Sequence, residues 1–213
     1  MLPKIVVFAI IASMITDLMD ITMFKSIVAI TVLTIAATLG GCSGNPQYGP
    51  LTSINADKSV DIGSYVQWNA EYAVTAKHVK NVKNVAYVSK DYDLVFFKHK
   101  SANPLKWADT KINEPLVSKG FPFFPQRQKE NVVSANNVNV NLTLDDMPYY
   151  FLMDAQLVGG MSGGPVFNQN NEVVGINIAY TNKRYNIDHK DQVYSIYLSH
   201  QGIQQEWNKF VKQ

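Results

Sequence analysis

The chain has 213 residues, a formal net charge of +2, 46% hydrophobic residues and 17% charged residues. These values are typical of an ordinary globular protein and exclude a disordered chain. The length allows one large domain or two small barrels that share an interface. Lysine and arginine residues are scattered along the chain, so the clustered basic footprint of a nucleic-acid-binding protein is absent from the sequence.

Two short apolar runs occupy the N-terminal region, which we interpret as a signal or anchor region over residues 1–42. The second run, residues 27–38, follows Lys25 and leads through small residues to Cys42. This order of positive charge, apolar run and small residues is typical of a signal peptide. Together with the cysteine it resembles a bacterial lipoprotein signal. The resemblance implies that Cys42 is lipidated and anchors the mature protein in the membrane.

Two alternatives to a lipoprotein remain open, a transmembrane anchor and a signal peptide whose cysteine is incidental. The apolar run is only about 15 residues long, and a spanning helix needs roughly 20, which favours the lipoprotein. Translation from Met23 would omit the first apolar run, whereas a start at Met1 would give a longer, two-part anchor. Because Cys42 is the only cysteine, the chain forms no internal disulfide.

The remaining sequence predicts an all-β fold with one helix at its end. Residues 43–53 are rich in Gly, Pro and Ser, and we interpret them as a tether. Runs rich in Val, Tyr and Phe then alternate with Asn, Asp, Gly and Pro, a pattern typical of short strands in a sandwich or barrel. Residues 201–213 predict a C-terminal helix, because their apolar side chains recur at helical spacing. These apolar positions are Ile203, Trp207, Phe210 and Val211.

A lone serine, Ser162, lies between two glycine pairs in the stretch GGMSGGPV. A serine hydroxyl is a poor nucleophile at neutral pH and needs a base, for which histidine is well suited. His78 in VTAKHV differs from the other histidines, because an apolar strand ends in small residues just before it. Asp93 begins the apolar run DLVFF, so its carboxylate is expected at the mouth of a barrel, and Asp91 competes with it. The other histidines, His99, His189 and His200, lie in ordinary settings.

His78, Asp93 and Ser162, in this chain order and within these motifs, resemble the trypsin/chymotrypsin-like serine peptidases. The resemblance covers about residues 51 to 200 and leans towards bacterial envelope proteases of heat-shock type and glutamyl-endopeptidase-like relatives. It implies two antiparallel six-stranded β-barrels with the active site in the cleft between them. We place these barrels at residues 54–112 and 113–200.

The resemblance also implies a role for each of these residues. Ser162 would attack the scissile carbonyl, His78 would carry the proton to the leaving amine, and Asp93 would hold the imidazole in the required tautomer. The backbone N–H groups of Gly160 and Ser162 would form the oxyanion hole. A glycine is expected at position 160, because the backbone must turn sharply and approach the oxyanion closely.

The substrate pocket implied by the resemblance involves Gln156 at its floor and the strand segment Asn177, Ile178 and Ala179 along its wall. Gln156 is neutral, so the carboxylate that would pair with a lysine or arginine side chain is missing, which argues against strict trypsin-like recognition. The sequence contains no metal-ligand cluster and no phosphate-binding glycine loop, so we expect no metal and no cofactor.

Three features depart from the family pattern. His78 and Asp93 are only 15 residues apart, so the intervening loop is very short. Lys77 replaces the usual small residue before the histidine, and its charge would disfavour the imidazolium unless the side chain points outward. Met161 stands where members activated by cleavage have an aspartate, which predicts that the chain folds directly into its active form.

The predicted function is a lipid-anchored serine endopeptidase that acts on protein or peptide substrates at the bacterial cell envelope. The alternative is a catalytically inactive relative that keeps the barrels as a binding module. An esterase is disfavoured, because the nucleophile elbow of those folds needs a strand–turn–helix context and Ser162 leads into a strand.

Substitution of the lipid acceptor tests the predicted anchor. We expect Cys42→Ser to move the protein from the membrane fraction to the soluble fraction, because the acyl chains supply the membrane affinity. The measurement is fractionation of cells that express either form, followed by immunoblotting. Unchanged partitioning would instead favour a transmembrane anchor in residues 1–42.

Overall fold

The computed structural model describes residues 46–54, 57–122, 129–138, 148–181, 184–187 and 190–213. These residues belong to one compact unit, built from thirteen β-strands and one α-helix. Cys42, both candidate start methionines and His189 lie outside the described residues. The strands are β1 (Tyr48–Ile54), β2 (Val60–Gln67), β3 (Tyr72–Thr75), β4 (Val85–Val88), β5 (Val95–Lys98), β6 (Pro115–Gly120), β7 (Asn131–Val138), β8 (Tyr150–Met153), β9 (Pro165–Asn168), β10 (Val173–Tyr180), β11 (Tyr185–Ile187), β12 (Lys190–Gln192) and β13 (Ser195–Ser199), and the helix is α1 (His200–Phe210).

The first half of the described chain forms a five-stranded antiparallel sheet in the order β1-β2-β3-β5-β4. The expected closed six-stranded barrel at residues 54–112 is therefore corrected to an open sheet that already begins at Tyr48. The physical reason is the short connection between His78 and Asp93, which supplies only the four-residue strand β4. The sheet ends at β4 on one side and at β1 on the other.

The predicted tether at residues 43–53 is also corrected, because Tyr48–Ile54 is strand β1. Its whole length pairs with β2, from Tyr48 opposite Val66 to Ile54 opposite Val60. The glycine and proline that suggested a linker fit this strand for physical reasons. A Cβ atom at Gly49 would lie 3.1 Å from the Tyr65 ring, and Pro50 is tolerated because β1 is an edge strand.

The second half forms a closed six-stranded barrel in the order β10-β13-β8-β7-β6-β9, which confirms the second of the two predicted barrels. Strands β11 and β12 form a separate two-stranded sheet. One apolar core joins the two halves, since Val74 and Phe96 of the first sheet belong to the same buried cluster as Phe167 and Ile176 of the barrel. This shared core fixes the two halves against each other.

The predicted C-terminal helix is present as α1. Ile203 is fully buried, and the rings of Trp207 and Phe210 both lie against Phe96 of β5. Val211, the fourth predicted apolar contact, follows the helix as its C-terminal cap and is 58% exposed. No helix in the described part of the chain is both long and apolar enough to cross a membrane.

A buried carboxylate links this helix to the first sheet. Glu206 is 0% exposed, and it accepts hydrogen bonds from the hydroxyl of Tyr87 at 2.9 Å and from the ammonium of Lys209 at 2.6 Å. Lys209 also donates to Asp91. These partners compensate the burial of the charge and thereby hold α1 on β4 and the loop that follows it.

Glu206→Ala tests this link. We expect the free energy of unfolding to fall by about 2 kcal/mol, because the substitution removes a buried charge-assisted contact and leaves the Tyr87 hydroxyl unpaired. The measurement is equilibrium unfolding in urea. The matched control is Asp191→Ala, which removes an ion pair with Arg184 in which both side chains are more than 60% exposed and which should cost less than about 1 kcal/mol. Equal losses in the two variants would contradict the link.

Candidate active site

Two adjacent strand ends bring His78 and Asp93 together. Strands β3 and β5 pair so that Thr75 lies opposite Val95, which brings the segment that follows β3, with His78, beside the segment that precedes β5, with Asp93. The Nδ1 atom of His78 lies 2.5 Å from Oδ2 of Asp93. The other carboxylate oxygen accepts the backbone N–H of His78 at 2.9 Å. Asp93 therefore fixes both the ring and the backbone of His78.

The second barrel also contributes to this pair. The hydroxyl of Tyr150, in β8, accepts the backbone N–H of Asp93 at 2.8 Å. Tyr150 was missed in the sequence, because nothing in its local pattern distinguishes it from other strand tyrosines. Asp91, the competing carboxylate, is bound by Lys209 instead. Asp93, not Asp91, is thus the carboxylate beside His78.

The hydrogen bond between the two side chains shifts both pKa values towards the ion pair. It raises the pKa of His78 against the opposing effect of burial. Burial alone would raise the pKa of Asp93, but the hydrogen bonds and charge of His78 outweigh it, so this pKa is lowered. The His78 side chain is 48% exposed and Asp93 25% exposed, so the histidine ring remains accessible while the carboxylate is more shielded.

Lys77 does not oppose the protonated ring. Its ammonium donates to the backbone carbonyl of Ser89 at 3.0 Å, a contact that engages it away from His78. The other departure, Met161, is 0% exposed and belongs to the core of the barrel. An apolar side chain at this position packs in the interior, where a carboxylate would need a charged partner.

Ser162 lies in the loop between β8 and β9, and backbone contacts tie this loop to the first sheet. The Ser162 carbonyl accepts the N–H of Ser64, in β2, at 2.8 Å. The Ser162 hydroxyl donates to the carbonyl of Ile178 at 3.4 Å, which is long for a hydrogen bond between oxygen atoms. So weak a contact leaves the hydroxyl able to turn towards another acceptor.

The glycines around Ser162 are required by the conformation and the close packing of this loop. Gly163 has a φ of +83°, and a Cβ atom there would lie 2.1 Å from Oγ1 of Thr75. Gly160 has a φ of +98°, and its Cβ would lie 2.8 Å from Cα of Pro122. Any larger residue at either position would be strained and would clash with the first sheet or with the chain after β6.

In the backbone of the same loop, two carbonyl groups are bound by side chains of the protein, whereas two N–H groups are available to a ligand. The Gly160 carbonyl accepts the hydroxyl of Ser64 at 2.8 Å, and the Met161 carbonyl accepts the amide of Asn177 at 3.2 Å. Within the described residues, the N–H groups of Gly160 and Ser162 take part in no hydrogen bond. Two such N–H groups beside a serine can bind an anionic oxygen.

A cavity of about 410 Å³ contains His78, Asp93 and Ser162 in its wall. The rest of the wall is mainly apolar and includes one glycine. It is made by Leu157, Val158, Gly159, Ile178, Ala179 and Tyr180. The three side chains that the sequence analysis singled out for chemistry therefore face a single space large enough for a substrate side chain.

Two of the four predicted pocket residues line this cavity and two do not. Ile178 and Ala179 are in the wall, where the register of β10 shifts between Asn177 and Ala179. Asn177 is 0% exposed and its amide binds backbone carbonyls instead. Gln156 is exposed outside the wall, and its neighbour Leu157 takes the place expected for it. The spacing from Ser162 could not show which of two adjacent side chains turns inward.

The remaining described histidines have partners away from this cavity. The Nδ1 atom of His99 lies 2.7 Å from the side-chain oxygen of Gln67, and that of His200 lies 2.7 Å from Asp109. No group of three or more His, Cys, Asp or Glu residues that could hold a metal ion occurs within the described residues.

The comparison with known families identifies the family of this chain. Residues 29–176 match the trypsin-like peptidase domain, which is well over half of the 213 residues. The chain therefore belongs to the trypsin-like peptidase family, and its fold is chymotrypsin-like. No curated protein matches the chain significantly in sequence.

Solved structures of bacterial serine proteases share this fold. The HtrA-type protease AlgW with a tripeptide has a TM-score of 0.61 at 15% identity, over 80% of this chain and 62% of that chain. The serine endoprotease from Yersinia pestis has a TM-score of 0.61 at 16% identity, over 80% and 64% respectively. The active form of the Rv3671c protease from M. tuberculosis has a TM-score of 0.59 at 16% identity, over 79% and 82%. The match thus spans less than two thirds of the first two proteins.

The titration of His78 tests the pairing with Asp93. Because the Asp93 carboxylate stabilises the protonated ring, we expect the midpoint to lie above the ordinary value of 6.5 and to fall in Asp93→Asn. The measurement is NMR of the imidazole resonances between about pH 4 and 9, assigned with His78→Gln. The matched control is Asp91→Asn, which should leave the midpoint unchanged. An equal effect of the two substitutions would refute the specific pair.

Proposed function

We propose that the protein is a serine endopeptidase in which Ser162 is the nucleophile, His78 the general base and Asp93 the residue that orients His78. The observation that carries the proposal is the two-point contact between Asp93 and His78 in the wall of a cavity that also contains Ser162. A histidine oriented by a carboxylate and facing the same space as a serine is the arrangement that activates a serine hydroxyl.

In the proposed reaction, the Ser162 oxygen attacks the carbonyl carbon of the scissile peptide bond. Its proton passes to Nε2 of His78, since Nδ1 is engaged by Asp93. The imidazolium then donates this proton to the leaving amine, and an acyl-enzyme remains on Ser162. Water attacks the acyl-enzyme, with His78 as base again, and releases the second product.

The developing oxyanion would be bound by the N–H groups of Gly160 and Ser162. Both are without a partner in the described part of the chain, while the carbonyl groups of Gly160 and Met161 are held by the protein. A single donor of this kind contributes about 10²- to 10³-fold to the rate in comparable enzymes.

The pH dependence of the reaction would follow from the state of His78. The ring must be neutral to accept the proton of Ser162, and the hydrogen bond to Asp93 raises the pKa of His78. Activity should therefore increase with pH through a midpoint above 6.5, the ordinary value, and be lost below it.

The cavity wall favours an apolar side chain on the acyl side of the cleaved bond. Leu157, Val158, Ile178 and Ala179 supply apolar surface beside Ser162. Among the described residues, the only carboxylate in the wall is that of Asp93, which is already paired with His78. A lysine or arginine side chain would be desolvated there without a partner.

We further propose that the protein acts at the extracytoplasmic face of a bacterial membrane, where it is held by lipid on Cys42. The pattern of Lys25, the apolar run and the small residues before Cys42 supports this location. The first strand begins at Tyr48, so only five residues would separate the lipidated cysteine from the fold. The domain would then act near the membrane surface, on protein or peptide substrates.

Labelling of the full-length protein, solubilised in detergent, with a fluorophosphonate probe tests the proposed function. We expect covalent labelling of the wild type and none of Ser162→Ala or His78→Ala, because the probe reacts with a serine activated by its base. Gel fluorescence measures the labelling, and circular dichroism shows that each variant is folded. Ser59→Ala, which changes an exposed serine in a surface turn, should label like the wild type.

A folded wild type that does not react would refute the proposal. The protein would then be the inactive, substrate-binding relative. Labelling that survives in Ser162→Ala would show that another serine is the reactive one, and would refute the assignment of the nucleophile.

A further inference from the structure

The loop that would bind the oxyanion contains two glycines and therefore needs restraint from its surroundings. Gly160 and Gly163 both adopt positive φ angles, and glycine populates several other conformations about as readily. Two buried polar side chains outside the proposed catalytic residues contact the carbonyl groups of this loop. They are Ser64 of the first sheet and Asn177 of the barrel.

We propose that Ser64 and Asn177 are positioning residues, one from each half of the fold, that orient the loop of Gly160, Met161 and Ser162 for catalysis. The proposal rests on the serine endopeptidase function proposed above. The sequence analysis expected Asn177 to contact the substrate. The proposal instead gives it a supporting role, since its side chain lies behind the cavity wall.

Asn177 helps to fix the peptide unit that carries the N–H of Ser162, together with the backbone N–H of Gly164, which donates to the same Met161 carbonyl at 3.0 Å. The carbonyl of Met161 and the N–H of Ser162 belong to the same planar trans peptide, so they point in opposite directions. The Asn177 amide binds the Met161 carbonyl at 3.2 Å on the interior side. The N–H of Ser162 must consequently point the other way, to the cavity side where the oxyanion would form.

Every polar group of the Asn177 side chain is used in this contact network. Its amide nitrogen also donates to the carbonyl of Lys119 at 2.9 Å, and its oxygen accepts the hydroxyl of Ser118 at 2.7 Å. The network is buried, with both Asn177 and Ser118 0% exposed. A buried amide that is fully satisfied has one orientation only, which makes it a rigid support for the Met161 carbonyl.

Ser64 restrains the Gly160 carbonyl through its side chain and the Ser162 carbonyl through its backbone. Its hydroxyl donates to the Gly160 carbonyl at 2.8 Å and accepts the N–H of Phe121 at 2.9 Å. Its own N–H donates to the Ser162 carbonyl at 2.8 Å. Loss of the hydroxyl would leave the main-chain bond in place but free the Gly160 carbonyl, so the glycine could rotate.

The experiment compares Ser64→Ala and Asn177→Leu with the wild type in full-length protein, using an internally quenched peptide with an apolar residue before the cleaved bond. We expect kcat to fall about tenfold or more in each variant, because a misdirected donor no longer meets the oxyanion. KM should remain within about twofold, since the loss is confined to the transition state. The pH midpoint of kcat/KM should not move, because His78 and Asp93 are untouched.

Two further variants separate positioning from general stability. Ser64→Cys keeps a weaker donor of similar size, so its kcat should lie between those of the wild type and Ser64→Ala. Thr110→Val removes a hydroxyl that bonds Tyr197 at 2.5 Å and Glu114 at 3.1 Å, outside the cavity wall. This control should lower the melting temperature without lowering kcat in the folded protein.

The outcomes distinguish this proposal from the proposed function. A kcat within about twofold of the wild type in folded Ser64→Ala and Asn177→Leu would overturn the positioning proposal, while fluorophosphonate labelling of Ser162 would still support the endopeptidase. An increase in KM with unchanged kcat would also overturn it, since the residues would then act on ground-state binding. If the wild type neither labels nor hydrolyses peptides, both proposals fall. If Asn177→Leu does not fold, the kcat values of Ser64→Ala and Ser64→Cys test the positioning proposal by themselves.

Discussion

One backbone hydrogen bond between the two halves of the molecule holds the candidate site together. The N–H of Ser64, in the first sheet, donates to the carbonyl of Ser162, in the barrel loop. His78 and Asp93 belong to the sheet and Ser162 to the barrel loop, so this contact directly joins the parts of the fold that carry the serine and the histidine. The shared apolar core, which includes Phe96 and Phe167, makes the contact rigid, because closely packed interiors resist small displacements.

The same dependence on both halves recurs around the histidine. Asp93 is bound to His78 within the first sheet, but its own backbone donates to Tyr150 of the barrel. The C-terminal helix adds a further link, since Lys209 binds the alternative carboxylate Asp91 and keeps it away from His78. The local geometry of the site is thus a property of the assembled fold, and no single strand or loop could produce it.

The proposed chemistry and the proposed location both concern a protease domain that lies a few residues after the proposed lipid anchor. The chain covers 62% of one HtrA-type protease and 82% of the Rv3671c protease, so what the alignments share is the protease fold. Five residues between Cys42 and β1 would hold a lipid-anchored domain close to the membrane.

The sequence by itself determined the all-β class, the C-terminal helix and the presence of His78, Asp93 and Ser162 in motifs of known order, because alternating apolar residues and glycine-rich turns are local signals. It misjudged β1 as a tether and predicted a sixth strand in the first half, since strand pairing depends on partners distant in the chain. It also pointed to Gln156 and Asn177 as pocket residues. Only the tertiary structure decided that Leu157 turns inward, that Asn177 supports the loop from behind and that Ser64 takes part, because the direction of a side chain is set by the packing of both halves.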